Sequence, residues 1–183
     1  MSILRRAFAG FSGAAPQSGA PGGLRSRSRR AAGVRGAAHV APPWWEPRLL
    51  TALASWEPPP PATTLGRLAA YLWAAPVTLG GLVAGLSTGV RPRPYRGALL
   101  FAGARGLPRR FFAARGYSAF AIGHAVVTRS PNPSEQLLDH ELVHVRQAER
   151  LGVLMAPLYG VLLLVYGYAR HPMERAARQA QRR

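Results

Sequence analysis

The sequence predicts an α+β chain: a mainly helical domain with a small antiparallel β element, an apolar membrane-type helix before it, and a disordered leader. Three observations carry this. Residues 1–64 are rich in Ala, Gly, Pro, Ser and Arg, with few apolar residues at helical or strand spacing. Residues 68–90 carry no charge. Beyond residue 92, short apolar runs bounded by Gly, Pro and Arg precede a well-marked amphipathic helix.

The leader contains "APQSGAPGG", "LRSRSRR" and "WEPPPPA". Its first acid is Glu46, and an acid-free, Arg-rich start has the composition of an organellar transit peptide. GC-rich coding produces the same composition. The apolar core of "MSILRRAFAGFSGAA" is too weak for a secretory signal.

Charge alone does not assign a partner. The 183 residues hold 24 Lys+Arg against 7 Asp+Glu, a formal net charge of +17. Every basic residue is Arg, a bias that again follows GC-rich coding. Such a chain can meet nucleic acid, anionic lipid or an acidic protein. It lacks the fold signatures of nucleic-acid modules and their interleaving of basic and base-stacking aromatic residues, so nucleic acid is not an expected partner. With no Cys, a disulfide framework and thiolate metal ligands are excluded. Any metal must be held by His, Glu or Asp.

Residues 68–90, "LAAYLWAAPVTLGGLVAGLSTGV", form a run long enough to cross a bilayer. Pro76 and the pair Gly80-Gly81 are compatible with that. The competing reading is a buried helical hairpin broken at Pro76. Residues 65–92 are thus assigned as a membrane-associated segment, and 93–180 as the domain that follows it. Two strands are expected at about 97–104 and 118–129, with the Arg-rich stretch 105–116 as the turn between them.

A helix is expected at about 133–151, from Asn132 as N-cap, Pro133 in the first turn and Glu135 as a capping-box carboxylate, to Gly152 as the stop. An apolar connection over 152–170 contains Pro157, Gly160 and Gly167, and a last helix is expected at 172–180.

Inside the first of these helices lies His140-Glu141-Leu142-Val143-His144. Residues four apart share a helix face, so both imidazoles can reach one ion. Zn²⁺ takes imidazole nitrogens in a tetrahedral set. Glu141, displaced to one side, can take a proton from an attacking water without ligating the metal. A random H-E-x-x-H in a chain of this composition is roughly a 0.4% event. The plain alternative is two unconnected helical histidines.

A catalytic zinc needs a third protein ligand. Glu46 and Glu57 lie in the leader, and Glu135, Asp139 and Glu149 point to other faces of the same helix. Glu174 remains, with His171 as the fallback ligand. A bland role for Glu174 is a capping-box carboxylate, which His171 as a poor N-cap argues against. Gln147, one turn past His144, either supports the site through its hydrogen bonds or bonds nearby backbone. His124 reads as a satisfied strand residue rather than a ligand. Tyr159, Tyr166 and Tyr168 read as packing residues, although any of them could stabilise an oxyanion.

"HELVHVRQAERLG", an apolar run and then "HPMERAA" resemble the gluzincin branch of zinc metallopeptidases. More finely, they resemble small bacterial zincin-like proteins with H-E-x-x-H-x-x-Q and a later N-P-x-E-x-x-A. The resemblance covers roughly residues 65–180 and is specific over the two motifs. It implies a minimal zincin-like domain in which His140, His144 and Glu174 hold Zn²⁺ and Glu141 is the catalytic base. His171, where Asn is usual, is a departure that bears on the cap of the last helix. The function so implied is membrane-associated hydrolysis of a peptide bond. The competing readings are a non-catalytic zincin-like module that binds metal or a membrane, and a basic lipid- or nucleic-acid-binding protein with an incidental pentad.

One conflict constrains the topology. A straight helix over 151–169 spans about 28 Å and would put His144 and Glu174 on opposite sides of a bilayer. The run is therefore expected to bend, at Pro157 and Gly160, and return. Arg48 and Arg67 before the 68–90 segment are outnumbered by Arg91, Arg93, Arg96, Arg105, Arg109 and Arg110 after it, which favours a cytoplasmic domain. Monotopic insertion keeps the Arg-rich leader on that same side.

Overall fold

The computed structural model describes residues 48–182. Ten regular elements follow: α1 (Arg48–Ala54), α2 (Thr64–Leu86), β1 (Arg93–Tyr95), β2 (Ala98–Ala102), α3 (Gly106–Arg115), β3 (Ala119–Ile122), β4 (Ala125–Thr128), α4 (Glu135–Leu151), α5 (Met155–Arg170) and α6 (Pro172–Ala180). A 3₁₀ turn, Gly152–Leu154, joins α4 to α5. The class is α+β, mostly helical.

Part of the expected leader is structured. The heptad "RLLTALA" forms α1, and Leu50 buries against Met155, Leu162 and Met173. Residues 1–47, where most of that expectation falls, lie outside the described residues.

The sheet has order β1-β2-β4-β3 and is mixed, not purely antiparallel. β2 pairs in parallel with β4, while β1 with β2 and β3 with β4 are antiparallel. The expected strand over 118–129 is in fact two strands around Gly123-His124, with Ile122 facing Ala125. Gly123 has φ 58°, a value that two-residue hairpins of this kind reserve for glycine. A Cβ there would stand 2.4 Å from Thr78 Oγ1, so glycine also lets the turn touch α2.

Residues 105–116 form α3 rather than a turn. Phe112 buries between Phe101 and Phe120, and Gly116 closes the helix in the left-handed region at φ 69°. The one buried apolar position, Phe112, anchors the helix, and the arginines are exposed.

α4 packs on one face of the sheet, where Leu138, Leu142 and Val145 meet Leu100 and Val126. α3 and Leu82 of α2 cover the other face through Phe101, Phe112 and Val127. Each such side chain stabilises the fold by about 1.5–3 kcal/mol. α2 comes close to the sheet through its glycines and runs unbroken through Pro76, so it is not a hairpin.

The cap of α4 is Ser134, whose hydroxyl accepts from Leu137 N–H at 3.3 Å, not Asn132. Pro133 precedes the cap, and the Glu135 carboxylate accepts from Tyr95 O–H instead of reaching back. Gly152, with φ 53°, ends α4 as expected. The run breaks, however, at Gly152–Leu154 and not at Pro157, which falls in the first turn of α5 where no helix hydrogen bond is lost, nor at Gly160, which lies inside α5. A second break falls at Gly167 (φ 67°, ψ 169°).

The outer faces of α2 and α5 are apolar and exposed, including Leu68, Leu72, Leu79 and Val83 on α2 and Val161, Leu164 and Val165 on α5. Thr64–Leu86 and the α4–α5 run are long and apolar enough to cross a membrane, and only 17% of each apolar window is buried, unlike a soluble core helix.

Candidate metal centre

α4 and α6 build the centre together. The helical repeat puts His140, His144 and Gln147 along one side of α4. Val143 of α4 packs on Ala177 and Ala180 of α6, and these small residues let the helices close. That contact delivers Glu174, in the first turn of α6, to the two imidazoles.

Glu174 Oε2 lies 3.4 Å from His140 Nε2, and Oε1 lies 3.1 Å from His144 Nε2. The three ligand atoms fall within 4.8 Å of one another, and all three residues are buried. His140 Nδ1, Glu141 Oε2, His144 Nε2 and Glu174 Oε2 are buried without an aligned hydrogen-bond partner. Nε2 of His144 is thus near the carboxylate but not directed at it. An unmet buried polar atom costs about 1–3 kcal/mol. His140 Nδ1 is the ring nitrogen away from Glu174, but unmet atoms on Glu141, His144 and Glu174 mark a site shaped for something other than its own side chains, and the donor set fits a divalent cation.

Two of the three, His144 and Glu174, are held from behind. His144 Nδ1 lies 3.0 Å from Gln147 Oε1, and Gln147 Nε2 donates to the Trp56 carbonyl at 3.1 Å. That carbonyl needs the amide NH₂, so Oε1 faces the imidazole and accepts from its Nδ1–H. The lone pair of His144 then sits on Nε2, toward Glu174. The alternative role for Gln147, a bond to backbone, is also realised, through the same side chain.

His171 has a different task from the fallback ligand role. Its Nδ1 accepts from Glu174 N–H at 3.4 Å, capping α6, and its Nε2 lies 3.1 Å from the Tyr159 carbonyl. One neutral tautomer, with the proton on Nε2, satisfies both contacts. Both nitrogens are occupied, and His171 stands outside the ligand cluster. It serves as the cap after all, because the carbonyl behind it fixes the tautomer that accepts.

Tyr159 O–H donates to Glu174 Oε1 at 2.7 Å, and Tyr168 lines the same cavity. Tyr159 therefore does more than pack; no spacing in the sequence announces it. Tyr166 packs against the α1 cluster. The Trp56 carbonyl is likewise invisible in sequence, since backbone carries no residue signature.

Burial disfavours the His144 imidazolium, but the Glu174 carboxylate outweighs it and raises the pKa to about 9. Burial also opposes ionisation of Glu174, yet His144 and then His140 hold its carboxyl well below the usual range. Burial pushes Glu141 up, with the neighbouring imidazoles partly opposing. His171 is lowered by burial, with the Tyr159 carbonyl partly opposing.

Among the described residues, Asp139, Glu149 and His124 stand outside the ligand cluster. His124, in the β3–β4 turn rather than on a strand, places Nδ1 3.0 Å from Thr78 Oγ1 and Nε2 3.2 Å from Glu149 Oε1. Arg146 also binds Glu149, and Arg96 pairs with Asp139.

A cavity of about 690 Å³ opens over the centre, with His140, Glu141, His144 and Glu174 in its wall. β3 lines it as the outer strand of the sheet.

No protein-family model, curated protein or solved structure matches this chain.

Proposed function

We propose that the chain is a membrane-associated zinc metallopeptidase of the gluzincin type. The observation that carries this is the convergence of His140, His144 and Glu174, with Glu141 unpartnered beside them. Two His and one Glu are a catalytic zinc set. One ligand atom from each of the three residues can be chosen so that all lie within 4.8 Å of one another, close enough to share one ion. Zinc, when bound, supplies Lewis acidity: it polarises a carbonyl and acidifies water.

The chain's own groups do the rest. Glu141 takes a proton from the attacking water at Oε2, as hydroxide adds to the amide carbon. It returns that proton to the departing nitrogen as the C–N bond breaks. Its raised pKa suits both transfers. Gln147 and Tyr159 hold His144 and Glu174 in place. The outer edge of β3 offers backbone groups to an extended peptide.

The exposed faces of α2 and α5 are read as resting in the apolar layer of a membrane. Ligands within 4.8 Å cannot stand on opposite sides of a bilayer, so α5 dips and returns instead of crossing between them. The Arg excess after α2 supports a cytoplasmic face for the centre.

The test is peptide hydrolysis by the zinc-loaded full chain beside Glu141→Gln. Activity lost with zinc retained supports the reading. Equal turnover in both removes Glu141 from the chemistry.

A further inference from the structure

We infer that the cavity over the metal centre accepts an extended peptide segment whose side chains are apolar and uncharged. This rests on the peptidase reading and names its substrate class. The chain carries 24 Lys+Arg, yet among the described residues lining the cavity the only Asp, Glu, Lys or Arg are Glu141 and Glu174. Both belong to the centre itself. Arg109 and Arg110 are exposed on α3, while their neighbours Leu107 and Phe111 line the cavity. Leu107 and Phe111 are themselves 77% and 45% exposed, so α3 gives the cavity an apolar rim. Val77 of α2, Phe120 of β3 and Met155 at the start of α5 continue the wall.

Away from the metal centre, a charged substrate side chain would lose its hydration and find no opposite charge in the lining, an expensive transfer. An apolar side chain gains burial at every wall. Backbone is different: the open edge of β3, four residues long, gives an extended chain hydrogen-bonding groups over about 13 Å. An acyl chain could use the walls but not that edge, so the peptide is the occupant that uses both. The cavity is bounded by α2 and α5, the two helices with exposed apolar outer faces, so such a segment has an apolar approach from outside.

The test is binding, which needs no turnover. The full chain carrying Glu141→Gln is loaded with zinc in phosphatidylcholine nanodiscs. Fluorescent eight-residue peptides with an Ala-Phe-Leu-Val centre are titrated, beside copies with one central Asp or one central Arg, and empty discs are subtracted. An N-acyl amide of equal length is the fourth probe. The apolar peptide is expected to bind at least tenfold tighter than the other three. In a second variant that adds Leu107→Arg at the exposed rim, the Asp peptide gains at least fivefold on the apolar one. Equal affinity among the peptides, or an N-acyl amide that binds as tightly, overturns the inference. Selective binding without hydrolysis in the wild-type chain would overturn the peptidase reading alone.

Discussion

Nε2 of His144 and Oε1 of Glu174 stand 3.1 Å apart, although the whole of α5 separates their helices in the chain. Without metal the two form a buried ion pair, and with metal they become neighbouring ligands. The proton on His144 decides between these states.

The first prediction follows from that proton. The folded pKa of His144 is raised to about 9 from 6.5, so the pair's stabilisation is complete below 6.5 and lost as pH rises through about 9. Glu174 is shifted the other way: its share is present above 4.5 and lost as pH falls through its lowered value. Metal-free protein should therefore melt at a lower temperature at pH 9.5 than at pH 6. Zinc must displace the same proton, so its affinity should rise about tenfold per pH unit below 9. Chelator competition across pH measures this. A flat profile would contradict the pairing.

The second concerns Gln147. Gln147→Leu removes the acceptor that holds the His144 tautomer and should weaken zinc binding by about 10–100-fold with the fold intact. Gln147→Glu keeps an acceptor for His144 and should recover most of the affinity, while losing the donor to Trp56. Unchanged affinity in the Leu variant would make Gln147 a packing residue only.

Adjacent glycines of α2 should respond with opposite sign. A Cβ at Gly80 meets nothing within 4 Å, so Gly80→Ala should stabilise by about 1 kcal/mol. A Cβ at Gly81 would stand 2.1 Å from the Ile122 carbonyl oxygen, so Gly81→Ala should destabilise by about 1–3 kcal/mol. Denaturation midpoints in one detergent decide it; equal shifts would mean α2 does not pack on the β3–β4 turn as described.

The core behind α4 gives a fourth expectation. Leu100 is fully buried against Leu138, Leu142 and Val145. Leu100→Ala should cost about 2–5 kcal/mol, read from urea or thermal unfolding.

What could be read from sequence was what local chemistry dictates. The pentad declared its helix and shared face, and scarcity of acids singled out Glu174. The cap moved two residues, from Asn132 to Ser134, because several good cappers stand side by side. α3 was hidden by Arg109 and Arg110, whose charge masks Leu107, Phe111 and Phe112. "AIGHAV" reads as one apolar strand until the positive φ of Gly123 turns it. The parallel pairing of β2 with β4 is a tertiary choice that no residue announces. His171 looked like a poor cap because its tautomer is set by a carbonyl in α5.

The most direct measurement is zinc content of the detergent-purified full chain after chelation and reloading, wild type beside Glu174→Ala and Glu141→Gln. About one zinc per chain is expected in the wild type and in Glu141→Gln, with most of it lost in Glu174→Ala. Undiminished zinc in Glu174→Ala, or none in the wild type, would contradict the shared-ion centre.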